Sequence, residues 1–151
     1  NRSLHLLKVT PKDEKLLFTW ANEKLVRKWS FHNLPISRLD HNNWFRKNLK
    51  NKKLHMWKLK FNSSFCGLIR IENVRKNFKL SYQISSNFRG RGLGTKMINI
   101  AIRKLRKKIP KAVIYANSFN QNISSHKTLI NSGFKVREKK GKVINYINKN
   151  N

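Results

Sequence analysis

Cysteine, proline and acidic residues are scarce in this chain, which has one cysteine, three prolines and six aspartates and glutamates among its 151 residues. The single cysteine, Cys66, excludes an internal disulfide framework and suits a reducing compartment. No run of apolar residues approaches the ~20 that span a bilayer, and no signal-peptide pattern is present. We therefore predict one cytoplasmic domain over residues 1–151, without membrane insertion.

Basic residues dominate the composition of the chain. Lysine and arginine number 35, and the formal net charge is +29. Such a charge invites a nucleic-acid partner, but the basic residues are spread along the whole chain, and the uncharged asparagine is frequent too. A proteome rich in Lys and Asn explains both features, so dedicated nucleic-acid binding is the less favoured interpretation. An apolar content of 38% with four tryptophans indicates a folded domain.

The hydrophobic pattern predicts a mixed α+β fold in the order β, helices, βββ, α, β, α, ββ. The predicted strands are 3–9, 54–61, 65–74, 78–85, 112–117, 134–138 and 143–148. The predicted helices run from the Thr10-Pro11 cap to about Asn22, over 25–29, from Ser37 to about Leu49, from the turn at 89–94 to about Lys107, and over 122–132. The three strands in mid-chain are expected to form an antiparallel meander, and Leu39 is expected on the apolar side of its helix.

A glycine-rich turn at 89–94, between a strand and a helix, is the most informative motif. Its glycines permit unusual backbone angles and close approach of a ligand, and the helix start offers unpaired N–H groups. Together these features predict a cradle for a pyrophosphate. An ordinary glycine-rich turn is the alternative, but Arg89 and Arg91 add charge where a phosphate would sit. The glycine spacing fits neither the Rossmann fingerprint nor a P-loop.

Two motifs carry a resemblance to the GNAT N-acetyltransferases. Arg89-Gly90-Arg91-Gly92-Leu93-Gly94 matches the Q/R-x-x-G-x-G/A signature of that family residue by residue. Asn122-x-x-Ser125, followed eight residues later by Gly133-Phe134, resembles the N-x-x-[AS]…GF helix beside the pantetheine arm. The resemblance covers nearly the whole chain. It implies a mostly antiparallel sheet of six or seven strands flanked by helices, with the fourth and fifth strands splayed around acetyl-CoA.

The same resemblance assigns the co-substrate site. The backbone of Arg89, Gly90, Arg91, Gly92, Leu93, Gly94 and Thr95 is implied to hold the pyrophosphate of acetyl-CoA. The strand from Tyr82 to Ile84 is implied to bind pantetheine and the acetyl carbonyl, with Asn122 and the facing strand at Asn117 beside it. Two alternatives stay open: Asn122 caps its helix, and Tyr82 is a core aromatic.

An ammonium group cannot attack a thioester, so catalysis needs a proton acceptor. Of the six carboxylates, Glu72 alone lies at the end of a central strand, and we predict that it is the base. The alternative is an ion pair of Glu72 with Arg70 or a nearby lysine. Many GNAT enzymes place a tyrosine acid where this chain has Leu129. The candidate substitutes are Tyr82, His126 and a water held by Ser125.

Neither a metal nor covalent catalysis is predicted. The five histidines show no metal-ligand spacing. Cys66 lies in mid-strand, where a buried structural thiol is the common outcome, and no histidine or carboxylate partner is evident. Direct transfer within a ternary complex is therefore the expected route.

The acceptor is predicted to be a small amine that contacts Phe31, His32 and Arg70. The run WANEKLVRKWSFHNLPIS…H..WF, followed by CGLIRIE, resembles a GNAT subgroup that acetylates the 4-amino group of nucleotide-linked amino sugars in the pseudaminic-acid pathway. A ribosomal-protein or peptide N-terminus is the alternative acceptor. A non-catalytic module that binds RNA or the ribosome is the alternative of another class. We expect a monomer or a homodimer.

Overall fold

The computed structural model describes residues 3–150 and contains one mixed sheet of seven strands flanked by helices. The strands are β1 (Leu4–Lys8), β2 (Leu54–Phe61), β3 (Ser64–Val74), β4 (Asn77–Ile84), β5 (Ile114–Phe119), β6 (Lys135–Lys140) and β7 (Val143–Asn148). The helices are α1 (Glu14–Ala21), α2 (Lys24–Lys28), α3 (Arg38–Leu49), α4 (Leu93–Lys108) and α5 (Ile123–Asn131), with 3₁₀ turns at Pro11–Asp13 and Ser86–Phe88. The α+β architecture predicted from the sequence is confirmed.

The sheet order is β1-β2-β3-β4-β5-β7-β6, and every neighbouring pair except one is antiparallel. The exception is β4 with β5, which run parallel and pair only at Phe78 with Ile114 and at Lys79 with Tyr115. Beyond these two pairs, residues 80–84 and 116–119 have no ladder to each other. The sheet therefore splays open in its middle, as the family resemblance implied.

Two apolar clusters cover the two faces of the sheet. The larger contains the buried stripe of α4, whose predicted residues Met97, Ile98, Ala101, Ile102 and Leu105 are all buried. The smaller lies under α1 and α3, and includes Leu17, Trp20 and Phe45. The expectation for Leu39 is wrong, because this side chain is 70% exposed. It precedes the buried His41 by two residues, about 200° around the helix.

Local hydrogen bonds explain several element boundaries. Ser37 begins α3, since its hydroxyl accepts the N–H of Asp40 at 3.1 Å. Gly133 follows α5 with a φ of +89°, a left-handed conformation that ends helices. Strand β5 begins later than predicted because the Ala112 N–H is used in a turn to the Ile109 carbonyl. Within residues 3–150, no helix has both the length and the apolar character needed to cross a bilayer.

Candidate active site

The splay between β4 and β5 opens onto a cavity of about 830 Å³. Its wall combines these two strands with β3, the α1 to α3 region and the first turn of α5. Most of the predicted coenzyme, catalytic and acceptor residues meet there: Phe31, His32, Arg70, Glu72, Tyr82, Ile84, Arg89, Asn117, Asn122 and Ser125. The remaining predicted residues, 90–95, form the turn and the start of α4.

The glycine turn has the geometry of an anion site. Gly90 and Gly92 have φ angles of +79° and +73°, and a Cβ at either would meet nothing within 4 Å. Gly92 is the N-cap of α4. The N–H groups of residues 93–95 have no acceptor within residues 3–150. Three main-chain donors at the positive end of a helix dipole are thus left for an anion.

The two arginines of the turn are engaged by the protein. Arg89 donates to Glu23 Oε1 at 2.8 Å, and Arg91 lies over the Phe88 ring with its guanidinium 5.4 Å from the centroid. The charge of Arg89 is therefore compensated by a carboxylate. The main-chain donors are the groups of this turn that remain without a partner in the described chain.

Gly94 serves packing rather than backbone conformation. A Cβ at this position would lie 3.1 Å from Thr128 Cγ2 and 3.5 Å from the Tyr82 ring. The start of α4 thus approaches α5 and β4 closely. Only a glycine permits this approach without displacing a neighbour.

Tyr82 and Ser125 join β4 to α5. The Tyr82 hydroxyl donates to Ser125 Oγ at 3.2 Å, and burial raises the pKa of Tyr82. The hydroxyl therefore keeps its proton at neutral pH. Asn122 Oδ1 accepts the Ser125 N–H at 3.1 Å, so the capping interpretation of Asn122 is confirmed, although Asn122 also lies on the cavity wall.

Sequence reasoning missed Ser118, which lies on the cavity wall, and Tyr146, a buried residue that contacts it. The Tyr146 hydroxyl lies 2.9 Å from Ser118 Oγ and 2.8 Å from His126 Nδ1, and Tyr146 is fully buried. Ser118 is on the cavity wall, whereas His126 is not. His126 thus contacts the buried Tyr146 and is not part of the wall. The alternation of apolar and polar residues along β7 could have predicted that Tyr146 is buried. No feature of the sequence indicates that Tyr146 pairs with Ala116 on β5.

Arg70 and Glu72 face the N-terminal helices from β3. Glu72 pairs in register with Lys79 on β4, yet no cation of residues 3–150 lies within 4.0 Å of its carboxylate. Arg70 stacks over Trp44 with 5.2 Å between guanidinium and ring centroid. Burial lowers the pKa of Arg70, and the nearby Glu72 charge opposes that effect. The described chain offers the Arg70 guanidinium no hydrogen-bond acceptor.

Aromatic side chains form another part of the wall. Phe31 packs against Phe119 with centroids 5.0 Å apart, and Trp29 lies 6.2 Å from the same ring. His32 is exposed at this edge of the cavity. Phe119 is not on the cavity wall itself, and its contact with Phe31 joins segments distant in sequence.

The thiol and the histidines offer no other catalytic centre. Cys66 is buried, and burial raises the pKa of its thiol, which disfavours the nucleophilic thiolate. Within residues 3–150, no three His, Cys, Asp or Glu side chains are grouped as a metal would need.

A comparison with known protein families shows the enzyme class of the chain. The profile of the acetyltransferase (GNAT) domain matches residues 3–135. The chain belongs to the GNAT acetyltransferase family. It is an acetyl-CoA-dependent N-acetyltransferase, with acetyl-CoA as its co-substrate. The free N–H groups and the open space at the glycine turn fit the diphosphate of that co-substrate.

Solved structures of similar fold include several acetyltransferases. A domain from Methanocaldococcus jannaschii superposes with a TM-score of 0.88 at 18% identity, covering 99% of each chain. The aminoglycoside acetyltransferase AAC(6')-Ib with paromomycin and acetyl-CoA gives 0.84 at 14% identity, covering 97% of this chain and 93% of its own. Vibrio cholerae spermidine N-acetyltransferase with CoA and spermine gives 0.85 at 14% identity, covering 97% and 95%. No curated protein sequence matches this GNAT chain significantly.

Proposed function

We propose that this GNAT enzyme acetylates a primary amine on a small anionic acceptor, the 4-amino group of a nucleotide-linked amino sugar. The observation that carries the proposal is the Arg70 guanidinium. It lies on the cavity wall, is held against the Trp44 ring, and has no acceptor within the described chain. A guanidinium held in this way is suited to binding a phosphate or carboxylate.

The charges of the cavity wall support an anionic acceptor. Within the described residues, the wall has two acidic side chains, Asp40 and Glu72. It has four basic side chains: Arg27, Arg70, Lys79 and Arg89. Of the four cations, Arg89 has a carboxylate within 4.0 Å, and Arg27, Arg70 and Lys79 have none in residues 3–150. The Arg27 guanidinium is bonded instead to main-chain carbonyls, which leaves Arg70 and Lys79. A polycation such as spermine or an aminoglycoside would meet repulsion here. A diphosphate would meet two available cations.

The proposed chemistry uses one base and one acid. Acetyl-CoA supplies the acetyl thioester. Glu72 takes a proton from the acceptor ammonium, which frees the nitrogen lone pair to form the C–N bond to the acetyl carbon. The C–S bond breaks, and the nitrogen loses its second proton to solvent. The Tyr82 hydroxyl, whose pKa burial raises, holds a proton for the departing sulfur. Ser125 accepts the Tyr82 hydrogen bond in the resting enzyme and orients that hydroxyl.

The coenzyme contacts we propose are mainly main-chain contacts. The turn 89–95 holds the diphosphate. The backbone of 82–84, which pairs with β3 on one edge and with no strand on the edge that faces β5, binds the pantetheine arm. Asn117 and Asn122 lie on the cavity wall beside it. Asn117 Oδ1 already accepts from Asn145 at 2.6 Å, so its contact with the arm uses the amide nitrogen.

A panel of amine acceptors, assayed by release of the coenzyme A thiol, tests the proposal. The panel contains a UDP-linked 4-amino sugar, the same sugar without its nucleotide, spermidine, kanamycin and an N-terminal peptide. We expect the nucleotide sugar to be acetylated with the highest kcat/KM. Arg70→Ala should raise its KM about 10- to 100-fold, the value of a charge-assisted hydrogen bond. Arg46→Ala removes an exposed arginine of α3 outside the cavity and serves as the control.

Other results of the acceptor panel would support a different function. Preference for the peptide would support an N-terminal acetyltransferase, and preference for spermidine would contradict an anionic acceptor. Thermal stabilisation by RNA but not by acetyl-CoA, lost with rising salt, would support the binding module.

We propose further that the enzyme acts in the cytoplasm as a single domain, as a monomer or homodimer. The single buried thiol suits a reducing compartment. Light scattering of the purified chain gives the oligomeric state.

A further inference from the structure

The short helix α2 contacts both the glycine turn and the aromatic wall of the cavity through polar groups. It has five residues, and none of them is buried. A helix of this length is not stable alone, and apolar packing does not hold this one. Its position therefore depends on the hydrogen bonds at its two ends.

The first of these contacts is made by Glu23, the N-cap residue of α2. Its Oε1 accepts from the Arg89 guanidinium at 2.8 Å, and its Oε2 accepts the Ser86 N–H at 3.4 Å. Both donors belong to the connection that leads from β4 into the glycine turn. The side chains of Glu23 and Arg89 are 18% and 30% exposed, so water screens this pair less than a surface pair. Glu23 itself is not on the cavity wall.

The second contact is made by Arg27, one turn later in α2. Its guanidinium donates to the carbonyls of Ala21 at 2.7 Å and His32 at 2.8 Å, and to Ser30 Oγ at 3.3 Å. These bonds fix the segment 29–32, which carries Phe31 against Phe119. One short helix thus joins the turn that faces the coenzyme to the wall that faces the acceptor.

We infer that Glu23 is a positioning residue that couples coenzyme binding to the order of the acceptor wall. The inference rests on the proposed sites for coenzyme and acceptor. A diphosphate bound at residues 89–95 restricts the connection that carries Ser86 and Arg89. Because Glu23 accepts hydrogen bonds from both, the restriction passes to α2 and through Arg27 to residues 29–32. The acceptor then meets a wall that the coenzyme has already ordered, which gives positive coupling between the two ligands.

Hydrogen exchange of the full chain, with and without saturating coenzyme A, tests the coupling. In the wild-type protein, amides of residues 24–34 should exchange at least about fivefold more slowly with coenzyme A, a coupling of ordinary size. In Glu23→Ala this slowing should disappear, although calorimetry still detects coenzyme A binding. Glu23→Gln keeps one acceptor oxygen in place of two and should retain part of the protection.

The control is Glu14→Ala, which also removes a carboxylate from the N-terminal helices but breaks the contact with Arg38 on α3. It should leave the coenzyme-dependent protection intact. Two results would overturn the inference alone. One is coenzyme A binding without slower exchange at 24–34, and the other is slower exchange that survives in Glu23→Ala. A wild-type chain that binds no coenzyme A would overturn the proposed coenzyme site and the inference with it.

Discussion

The Tyr82 hydroxyl lies 3.2 Å from Ser125 Oγ and ties β4, on one side of the splayed strands, to the first turn of α5. On the other side, the Tyr146 hydroxyl lies 2.8 Å from His126 Nδ1 in the same turn. The first turn of α5 is thus bonded to a tyrosine from each side of the opening. Of the two tyrosines, Tyr82 is the one on the cavity wall, which makes it the better proton donor.

Tyr82→Phe should lower turnover while leaving the KM for acetyl-CoA nearly unchanged. The ring and its contact with Gly94 remain, and only the hydroxyl is lost. We expect kcat to fall about 10- to 100-fold, less than a full general-acid effect because a thiolate leaves readily. Since burial raises the pKa of Tyr82 above its usual 10.0, its ionisation should not reduce wild-type activity below pH 10.0. Steady-state kinetics over pH 6 to 10 measure both effects.

Tyr115→Phe is the matched control for this variant. Tyr115 lies on β5, with the Arg137 guanidinium 5.5 Å from its ring centroid, and is not on the cavity wall. Its kcat should equal that of the wild type. Equal kcat for Tyr82→Phe as well would remove Tyr82 from the proposed mechanism.

Gly92→Asp should abolish acetyl-CoA binding. The added carboxylate would stand where the diphosphate is expected and would repel it, while the left-handed φ of +73° adds about 1 kcal/mol of strain. The free space around this position means that no neighbour is displaced. Calorimetry with acetyl-CoA gives the affinity, and thermal unfolding gives the stability.

Gly141→Asp separates the charge effect from the strain. Gly141 also has a positive φ, +60°, and free space, but lies in the β6–β7 turn. Both variants should lose similar stability, and Gly141→Asp should bind acetyl-CoA as the wild type does. Normal affinity in Gly92→Asp would refute the placement of the diphosphate.

Glu72→Gln should lower kcat more than it changes either KM. If Glu72 accepts the proton of the acceptor ammonium, the variant has no base for this step. Only the acceptor molecules that are already unprotonated in solution can then react. The rise of activity with pH should therefore move to higher pH. A pH series of kcat/KM measures the shift.

Glu138→Gln provides the comparison, because Glu138 is exposed on β6, beside Arg137 at 3.6 Å and away from the cavity. It should have the wild-type pH profile. Wild-type turnover of Glu72→Gln at neutral pH would show that another group takes the proton.

The fold could be predicted because its signals are local. The buried stripe of α4 repeats with the helical period, and the cap at Ser37 fixes the start of α3. The glycine turn was recognisable because unusual backbone angles require glycine, as at Gly90 and Gly92. Each of these features lies within one segment of the sequence.

The polar contacts of the site could not be predicted in the same way. Glu23 and Arg89 are separated by 66 positions, and Ser118 and Tyr146 by 28. The hydrophobic pattern of a segment does not indicate which distant residue its polar side chain will contact. That contact depends on how the helices and strands pack in space. The partners of the site residues therefore came from the structure alone.

His41 and Glu14 form a buried polar pair beneath α3. His41 is 3% exposed, and its Nδ1 lies 3.4 Å from Glu14 Oε2, although neither atom makes a hydrogen bond within the described chain. Burial lowers the pKa of His41, and this effect exceeds the opposing pull of Glu14. The Glu14 pKa is lowered chiefly by its hydrogen bond from Arg38. The folded state thus favours neutral His41 and ionised Glu14.

His41→Phe should flatten the acid side of the stability profile. Because the unfolded chain binds a proton at His41 more readily than the folded chain, the free energy of unfolding falls as pH drops below the usual 6.5. The slope from this one group reaches at most about 1.4 kcal/mol per pH unit. Denaturant unfolding between pH 7 and 5 should show a smaller slope in His41→Phe, with a remainder from His55, whose pKa burial also lowers. A slope in His41→Phe identical to that of the wild type would show that the burial of His41 does not set the acid sensitivity.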